Sequence, residues 1–177
     1  MPSENSVYRK MQVVLEVTKS VRVNTLKELC MEIRGRKYPN FETLQYDQAQ
    51  DETVRRQSDR VIRRTVGLCY TLDIIGDDGR LTKEGRQALM KARFDSIISS
   101  QIRSFLKREG VRLSNLNSII LEGLQSSPPI LPTSRELWTA SGSEISRSVF
   151  SRMLTLLAQC GGAQSSQKKI YLHIKLK

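Results

Sequence analysis

Four of the five arginines within residues 51–72, DETVRRQSDRVIRRTVGLCYTL, are the side chains with the clearest capacity for chemistry. Each carries a fixed positive charge on a planar fork of donors, which fits phosphate oxygens and the edge of guanine. A helix through this stretch, turning by about 100° per residue, places all four arginines on one side and apolar residues on the other. The pattern predicts an amphipathic helix with an anion-attracting face. That face holds Arg56, Arg60, Arg63 and Arg64, opposite Val54, Val61, Ile62, Thr65, Leu68, Cys69 and Leu72.

A purely structural interpretation of the same stretch stays open at this point. Glu52 and Asp59 lie in the same segment, and either can pair with a neighbouring arginine on a solvated surface helix. Amphipathic helices with one charged side are common, so the composition of the remaining chain must decide between the two interpretations.

The remaining chain offers no pattern typical of an active site. The single histidine, His173, has no Ser or Asp partner in a triad arrangement, and no group of Cys, His or carboxylates has metal-ligand spacing. The acidic pair at 77–78 is typical of a solvated turn, and Gly161–Gly162 lacks the Gly-Lys-Ser/Thr of a phosphate loop. We therefore expect a non-enzymatic protein with no cofactor and no metal.

Positive charge is spread over the whole chain. The 177 residues contain 29 Lys and Arg against 18 Asp and Glu, which gives a formal net charge of +11. Residues 1–93 carry 18 basic and 13 acidic side chains, and residues 94–177 carry 11 and 5. The halves have net charges of +5 and +6, so each is expected to attract a polyanion.

Cysteine usage and hydropathy indicate the compartment. The three cysteines, Cys30, Cys69 and Cys160, are far apart and fall on apolar helix faces, as is typical of buried free thiols in a reducing environment. No run of 18 apolar residues is present, and the first ten residues lack an apolar signal core. We expect an intracellular protein without a membrane partner, either cytoplasmic and nucleoid-associated or, in a eukaryote, nuclear.

The elements that position the first set of arginines follow from apolar spacing. Residues 7–20 have helical spacing, although their valines also allow a strand. Thr25 and Glu28 have the spacing of a capping box that opens a second helix. After the arginine helix, two short apolar segments around Gly76-Asp-Asp-Gly79 predict a β-hairpin. Thr82 is placed to cap a further helix that either continues to Glu109 or breaks near Arg93.

The second half repeats this order of elements. Helices are predicted over 94–109 and 113–124, followed by a proline-rich loop. Thr133-Ser-Arg-Glu-Leu then repeats the pattern of Thr25-Leu-Lys-Glu-Leu, and a longer helix extends to about Gln159. Alternating apolar and cationic residues over 168–177 predict a half-buried strand.

This order of helices, turn, longer helix and hairpin resembles the winged-helix variant of the helix-turn-helix family. Gly79-Arg-Leu-Thr-Lys-Glu-Gly-Arg-Gln-Ala-Leu89 is similar to the segment that leaves the wing in winged-helix regulators and in recognition domains of some restriction enzymes. The resemblance implies a mainly α fold with small β-hairpin wings, an α+β class, as tandem winged-helix domains over 1–93 and 94–177. The DNA-binding residues that it implies are Arg55, Arg56, Arg60, Arg63, Arg64 and Arg80 in the first domain, and Arg147, Ser148, Ser151, Arg152, Lys168 and Lys169 in the second.

The leading functional hypothesis is a binder of double-stranded DNA. Phosphate neutralisation is assigned to Arg55, Lys37, Lys168 and Lys169, while Arg56, Arg60, Arg63 and Arg64 reach the groove. Such a protein would regulate transcription or supply DNA recognition to a larger regulatory or defence assembly. The alternative is a winged-helix module that scaffolds a complex through protein partners or self-association, for which a patch formed by Trp138, Phe150 and Leu154 would be the surface. RNA binding is less favoured, because the chain has few aromatic residues for base stacking.

Overall fold

The computed structural model describes residues 7–22, 25–35, 52–130 and 132–160, and these are folded almost entirely as α-helix. The chain divides into two compact units, Met1–Arg93 and Phe94–Lys177. The helices of the described segments, in chain order, are α1 Val7–Ser20, α2 Leu26–Gly35, α3 Glu52–Thr71, α4 Lys83–Ala88, α5 Lys91–Arg108, α6 Leu113–Gln125, α7 Ser134–Ser141 and α8 Arg147–Cys160.

The predicted α+β class with hairpin wings is wrong, whereas its mainly α component is confirmed. Over the described residues the β structure amounts to isolated bridge positions, an antiparallel bridge between Ile75 and Leu81 and a single bridge residue at Thr133. The amides of Ile74 and Ile75 both donate to the carbonyl of Cys69, at 2.9 and 3.3 Å, so they terminate α3 and are not available to a ladder. Two strands of useful length therefore do not form. The second predicted wing strand, 168–177, lies outside the described residues.

The first unit is built from α1, α2 and α3, each of which packs against the other two. Residues 7–20 form a helix, and the strand alternative is excluded. The valines are accommodated because Val13, Val14 and Val17 are all buried, so packing outweighs their modest preference for strands. The core of the unit consists of Met11, Val13, Val14, Leu15, Val17, Leu29, Ile33, Ile62, Val66, Leu68, Cys69, Leu72, Ile74, Ile75, Leu81 and Ala88.

A tight loop joins α3 to α4. Thr82 accepts a hydrogen bond from the Gly85 amide at 3.1 Å, as predicted for a helix cap, and its hydroxyl donates to the Asp73 carbonyl at 2.7 Å. Gly85 packs so closely on Ile74 that a Cβ at this position would collide with the Ile74 carbonyl oxygen. Helix α4 ends at Ala88, and α5 begins at Lys91. The break thus comes earlier than the predicted position near Arg93, and the predicted continuous helix is excluded.

The second unit contains nearly all of α5 together with α6, α7 and α8, in which α7 packs against both α6 and α8. Gly110, predicted to stop α5, adopts a left-handed conformation with φ of 78°, and the Val111 amide donates back to the Leu106 carbonyl at 2.8 Å. The described core of this unit includes Phe94, Ile98, Ile102, Phe105, Leu106, Val111, Leu116, Ile120, Leu137, Phe150, Met153, Leu154, Leu156, Leu157 and Cys160.

The repeated five-residue pattern has the same structural role in both units. Thr25 and Thr133 each accept a hydrogen bond from the amide three residues later, at 3.1 Å from Glu28 and 3.3 Å from Glu136. The leucine that closes each pattern, Leu29 or Leu137, is fully buried. The five-residue pattern therefore both caps the start of a helix and buries a leucine in the core.

Candidate nucleic-acid interface

Helix α3 presents arginines on one side and its packing face on the other, as the sequence predicts. The side chains of Arg60, Arg63 and Arg64 are exposed, whereas Ile62 and Cys69 are fully buried. Val66, which the prediction omitted, is also fully buried. Burial of the apolar side in the α1–α2 core fixes the rotation of α3 about its axis, and that rotation is what directs the arginines outward.

The three exposed guanidiniums make no ion pair with a carboxylate among the described side chains. The side chains of Glu52 and Asp59, the partners in the structural interpretation of this helix, lie outside the described part of the chain. Like charges at helical neighbour positions repel by a few tenths of a kcal/mol per pair. The cluster of Arg60, Arg63 and Arg64 is therefore an arrangement that an external anion would stabilise.

The spacing of this cluster matches a polyanion better than a single small anion. Arg60 and Arg64 are four residues apart, which corresponds to about 6 Å along the helix axis, and Arg63 lies between them on the same side. Double-stranded DNA presents one negative charge per ~1.7 Å of its axis. Three guanidiniums at this spacing can contact consecutive phosphates, or phosphates and a base edge, without rearrangement of the helix.

The other cations predicted for the first unit are placed less completely. Arg55 and Arg56 belong to the N-terminal part of α3, but their side chains, like the whole of Lys37, lie outside the described residues. Arg80 is in the α3–α4 loop with 72% of its side chain exposed, and its Nε is 4.0 Å from the Asp78 carboxylate. An exposed pair at this distance contributes little to stability, so Arg80 can exchange Asp78 for another anion.

Tyr70 is a further polar side chain near the arginines of α3 that the sequence analysis did not include. Its helical spacing from Arg63 places both residues on the same side of the helix. Tyr70 lies two turns after Arg63 on α3 and is half-buried. Burial, followed by the negative charge of Asp78, raises the pKa of Tyr70 above its usual value of 10.0. Tyr70 thus keeps its proton and remains a hydrogen-bond donor at the edge of the arginine face.

Four of the six predicted residues of the second unit, Arg147, Ser148, Ser151 and Arg152, lie on α8 outside its buried set. Arg147 and Ser148 are exposed in the first turn, while Ser151 and Arg152 are half-buried one turn later. Ser146 directly precedes α8, and its hydroxyl accepts from the Val149 amide at 3.4 Å. Lys168 and Lys169 lie outside the described residues. The structure places one exposed arginine and one exposed hydroxyl on α8, which is a weaker cationic face than that of α3.

The apolar patch expected for a scaffold does not form as predicted. Phe150 and Leu154 are buried in the second unit, and Trp138 is half-buried, with its indole N–H donating to the Ile145 carbonyl at 2.9 Å. These three side chains therefore serve the core and the turn before α8 instead of offering a contact surface.

Two described cysteines, Cys69 and Cys160, are buried free thiols. Burial raises the pKa of the Cys69 thiol to about 12, and burial together with the charge of Asp95 raises the pKa of Cys160 to about 12. Both therefore remain neutral thiols near pH 7, not nucleophiles.

Within the described segments, no three residues of the His, Cys, Asp or Glu types gather as metal ligands. None of the helices in those segments is long and apolar enough to cross a membrane.

Comparison with protein-family models, with curated proteins and with solved structures found no match. The features that bear on function are therefore the position of the arginines on α3 and the charge of the chain.

Proposed function

We propose that the protein binds double-stranded DNA without catalysing a reaction, and that the exposed face of α3 is its principal contact. One observation carries the proposal: Arg60, Arg63 and Arg64 project together from a helix whose opposite side is anchored in the core. An α-helix fits the major groove of B-DNA, and arginine donates two hydrogen bonds to the O6 and N7 atoms of guanine. A rigidly mounted helix also keeps the entropy cost of binding low.

Around this contact, the remaining cations supply attraction that does not depend on base sequence. Arg56 extends the groove-facing set, while Arg55, Lys37 and Arg80 contact phosphates of the flanking backbone. In the second unit, Arg147, Ser148, Ser151 and Arg152 form a smaller contact, to which Lys168 and Lys169 add phosphate neutralisation. The net charge of +11 supports this division, because phosphate contacts dominate affinity and base contacts provide specificity.

The biological role that fits such a molecule is DNA recognition inside the cell, in the cytoplasm or in a nucleus. It would act as a regulator of transcription or as the component that brings a larger regulatory or defence assembly to DNA. Selection of bound duplexes from a random pool would identify the preferred site, and we expect guanines to be enriched where arginines reach the groove.

The test of the proposal is the double variant Arg60→Ala plus Arg63→Ala. Each arginine contact to a base edge is worth ~1–3 kcal/mol, so the pair should weaken binding of a selected duplex by at least tenfold in a fluorescence-anisotropy titration. The matched control is Arg103→Ala plus Arg112→Ala. It removes two exposed arginines of the second unit and lowers the net charge equally, from +11 to +9.

Equal affinity of the two double variants would show that only overall charge matters and that α3 is not the contact. A wild-type protein that fails to bind any duplex at low ionic strength would contradict DNA binding altogether. Circular dichroism of both variants checks that helix content is unchanged.

A further inference from the structure

Helix α3 contains a glycine, Gly67, for which the described fold provides no packing reason. A glycine in a helix interior is unfavourable relative to alanine, because its backbone loses more conformational freedom on folding. Close packing explains such a glycine at Gly85 and Gly123, where a Cβ would collide with a backbone carbonyl. At Gly67 the surroundings differ: apart from its chain neighbours Val66 and Leu68 and the helix's own backbone, no described atom lies within 4 Å of the position that a Cβ would take.

Because Gly67 has no side chain, open space remains on α3 between the residues one turn before it and one turn after it. Arg63 and Arg64 precede Gly67 by one turn on the same side of α3, and Tyr70 and Thr71 follow it by one turn. The Thr71 hydroxyl donates to the Gly67 carbonyl at 2.9 Å and so stays close to the helix. These five residues form what we call the Gly67 notch, in which bare main chain lies between a cationic and a hydroxyl-bearing edge.

Resting on the proposed DNA binding, we infer that the Gly67 notch is the point of closest approach between α3 and DNA, where one sugar–phosphate strand crosses the helix. Charge complementarity selects this occupant, since Arg63 and Arg64 border the notch on its N-terminal side and both are exposed. In this arrangement Arg63 and Arg64 turn from the groove to a phosphodiester on the main chain at Gly67, which they bind through paired hydrogen bonds, and Arg56 and Arg60 are left to face the bases.

Residues on the C-terminal side of the Gly67 notch restrict where the DNA strand can cross α3. Tyr70 retains its proton and can donate to a phosphate oxygen, whereas Asp77 and Asp78, whose charges act on Tyr70, repel phosphates beyond it. A strand is therefore attracted up to Tyr70 and is repelled by Asp77 and Asp78 past it, except where it contacts Arg80. With any larger residue at position 67, a side chain would stand between the strand and the helix, lengthening both guanidinium contacts.

Two substitutions at Gly67 test the inference, because stability and affinity should move in opposite directions. In Gly67→Ala, the gain in helix propensity should raise Tm by about 2–4 °C, while the added methyl weakens duplex binding at least threefold. Gly67→Leu places a longer side chain in the notch and should weaken binding at least tenfold. The control Ser104→Leu adds similar bulk to an exposed position of α5 and should bind with wild-type affinity.

The outcomes separate this inference from the proposed function. If the wild-type protein and Ser104→Leu bind duplex DNA and both Gly67 variants bind equally well, the strand does not cross at Gly67, although DNA binding stands. If the wild-type protein itself binds no duplex, the proposed function fails first. If an RNA duplex of the same sequence binds more tightly than DNA and only RNA binding responds to Gly67→Ala, the notch holds an RNA strand and the inference is overturned. Should Gly67→Leu lose its helical circular dichroism, Gly67→Ala decides alone.

Discussion

At the scale of single residues, Gly85 belongs to a local sequence pattern that is compatible with two different structures. The sequence of Leu81, Thr82 and Gly85 resembles the exit of a β-hairpin wing, yet only Leu81 takes part in a β-bridge. The structure gives each residue another reason: Leu81 is buried, Thr82 caps α4, and Gly85 lies against the Ile74 carbonyl. The motif thus marks a closed joint between two helices, and sequence alone could not distinguish this joint from a hairpin.

The substitution Gly85→Ala is expected to destabilise the protein by about 2 kcal/mol, despite the higher helix propensity of alanine. The added Cβ would collide with the Ile74 carbonyl oxygen, and that backbone is held by the Thr82 amide, which donates to the same oxygen at 3.1 Å. Urea denaturation monitored by circular dichroism measures the change. An unchanged or increased free energy of unfolding would mean that the loop yields and that the close approach is not a constraint.

At the scale of elements, the sequence predicts the helices and several of their ends, but not the structure of the α3–α4 joint. The 3.6-residue spacing of apolar positions located α1 and α3 and the face that each of them buries, because a helix must cover its apolar stripe against a core. The apolar residues at 73–82 predict two strands, but apolar spacing does not show which carbonyls accept hydrogen bonds from the backbone amides of this segment. The carbonyl of Cys69 accepts hydrogen bonds from two of those amides, and Asp73 has a positive φ of 53°, so the segment forms a local helix C-cap that apolar spacing does not encode.

The capping box of α7 gives a prediction at this scale. Thr133 accepts from the Glu136 amide, and the Glu136 carboxylate accepts from the Thr133 amide at 2.6 Å. Thr133→Ala should therefore cost about 1 kcal/mol of stability at pH 7. Thermal melts followed by circular dichroism test this, with exposed Thr139→Ala, in the same helix but away from its cap, as the comparison. Equal melting temperatures of the two variants would contradict a role for the cap.

The same capping box has a pH dependence whose sign follows from its hydrogen bonds. The Thr133 amide, followed by the Thr133 hydroxyl, lowers the pKa of Glu136 below its usual value of 4.5. The stabilisation is thus present above the unfolded pKa and is lost as pH falls through the lower pKa of the folded state. In Thr133→Ala, the decrease in the free energy of unfolding on acidification should be smaller than in the wild-type protein.

At the scale of the whole molecule, the salt dependence of binding counts the phosphates that the protein neutralises. Release of counterions makes the logarithm of the affinity fall linearly with the logarithm of the salt concentration, with a slope of about −0.9 per phosphate contact. Given a net charge of +11 shared by both halves of the chain, we expect a steep slope for the wild-type protein. Losing one phosphate contact, as expected for Arg64→Ala, should make the slope shallower by about 1.

Titrations at four or more salt concentrations measure these slopes, and Arg112→Ala provides the single-charge control. A slope that is near zero, or that both variants change equally, would contradict a localised phosphate contact on α3. The sequence predicts both the distribution of charge and the shared face of the α3 arginines, because the apolar stripe that fixes the rotation of α3 is itself visible in the sequence.

The tip of the α3–α4 loop has a practical consequence for studying this surface. Asp77 is exposed, and its charge acts on Tyr70 at the border of the Gly67 notch, so the two lie near each other. Cys69 and Cys160 are shielded from thiol reagents by burial, and Cys30 is half-buried. A fluorophore attached through Asp77→Cys would therefore sit beside the arginine face on a backbone closed by the Ile75–Leu81 bridge, and would report the arrival of a polyanion as a change in emission.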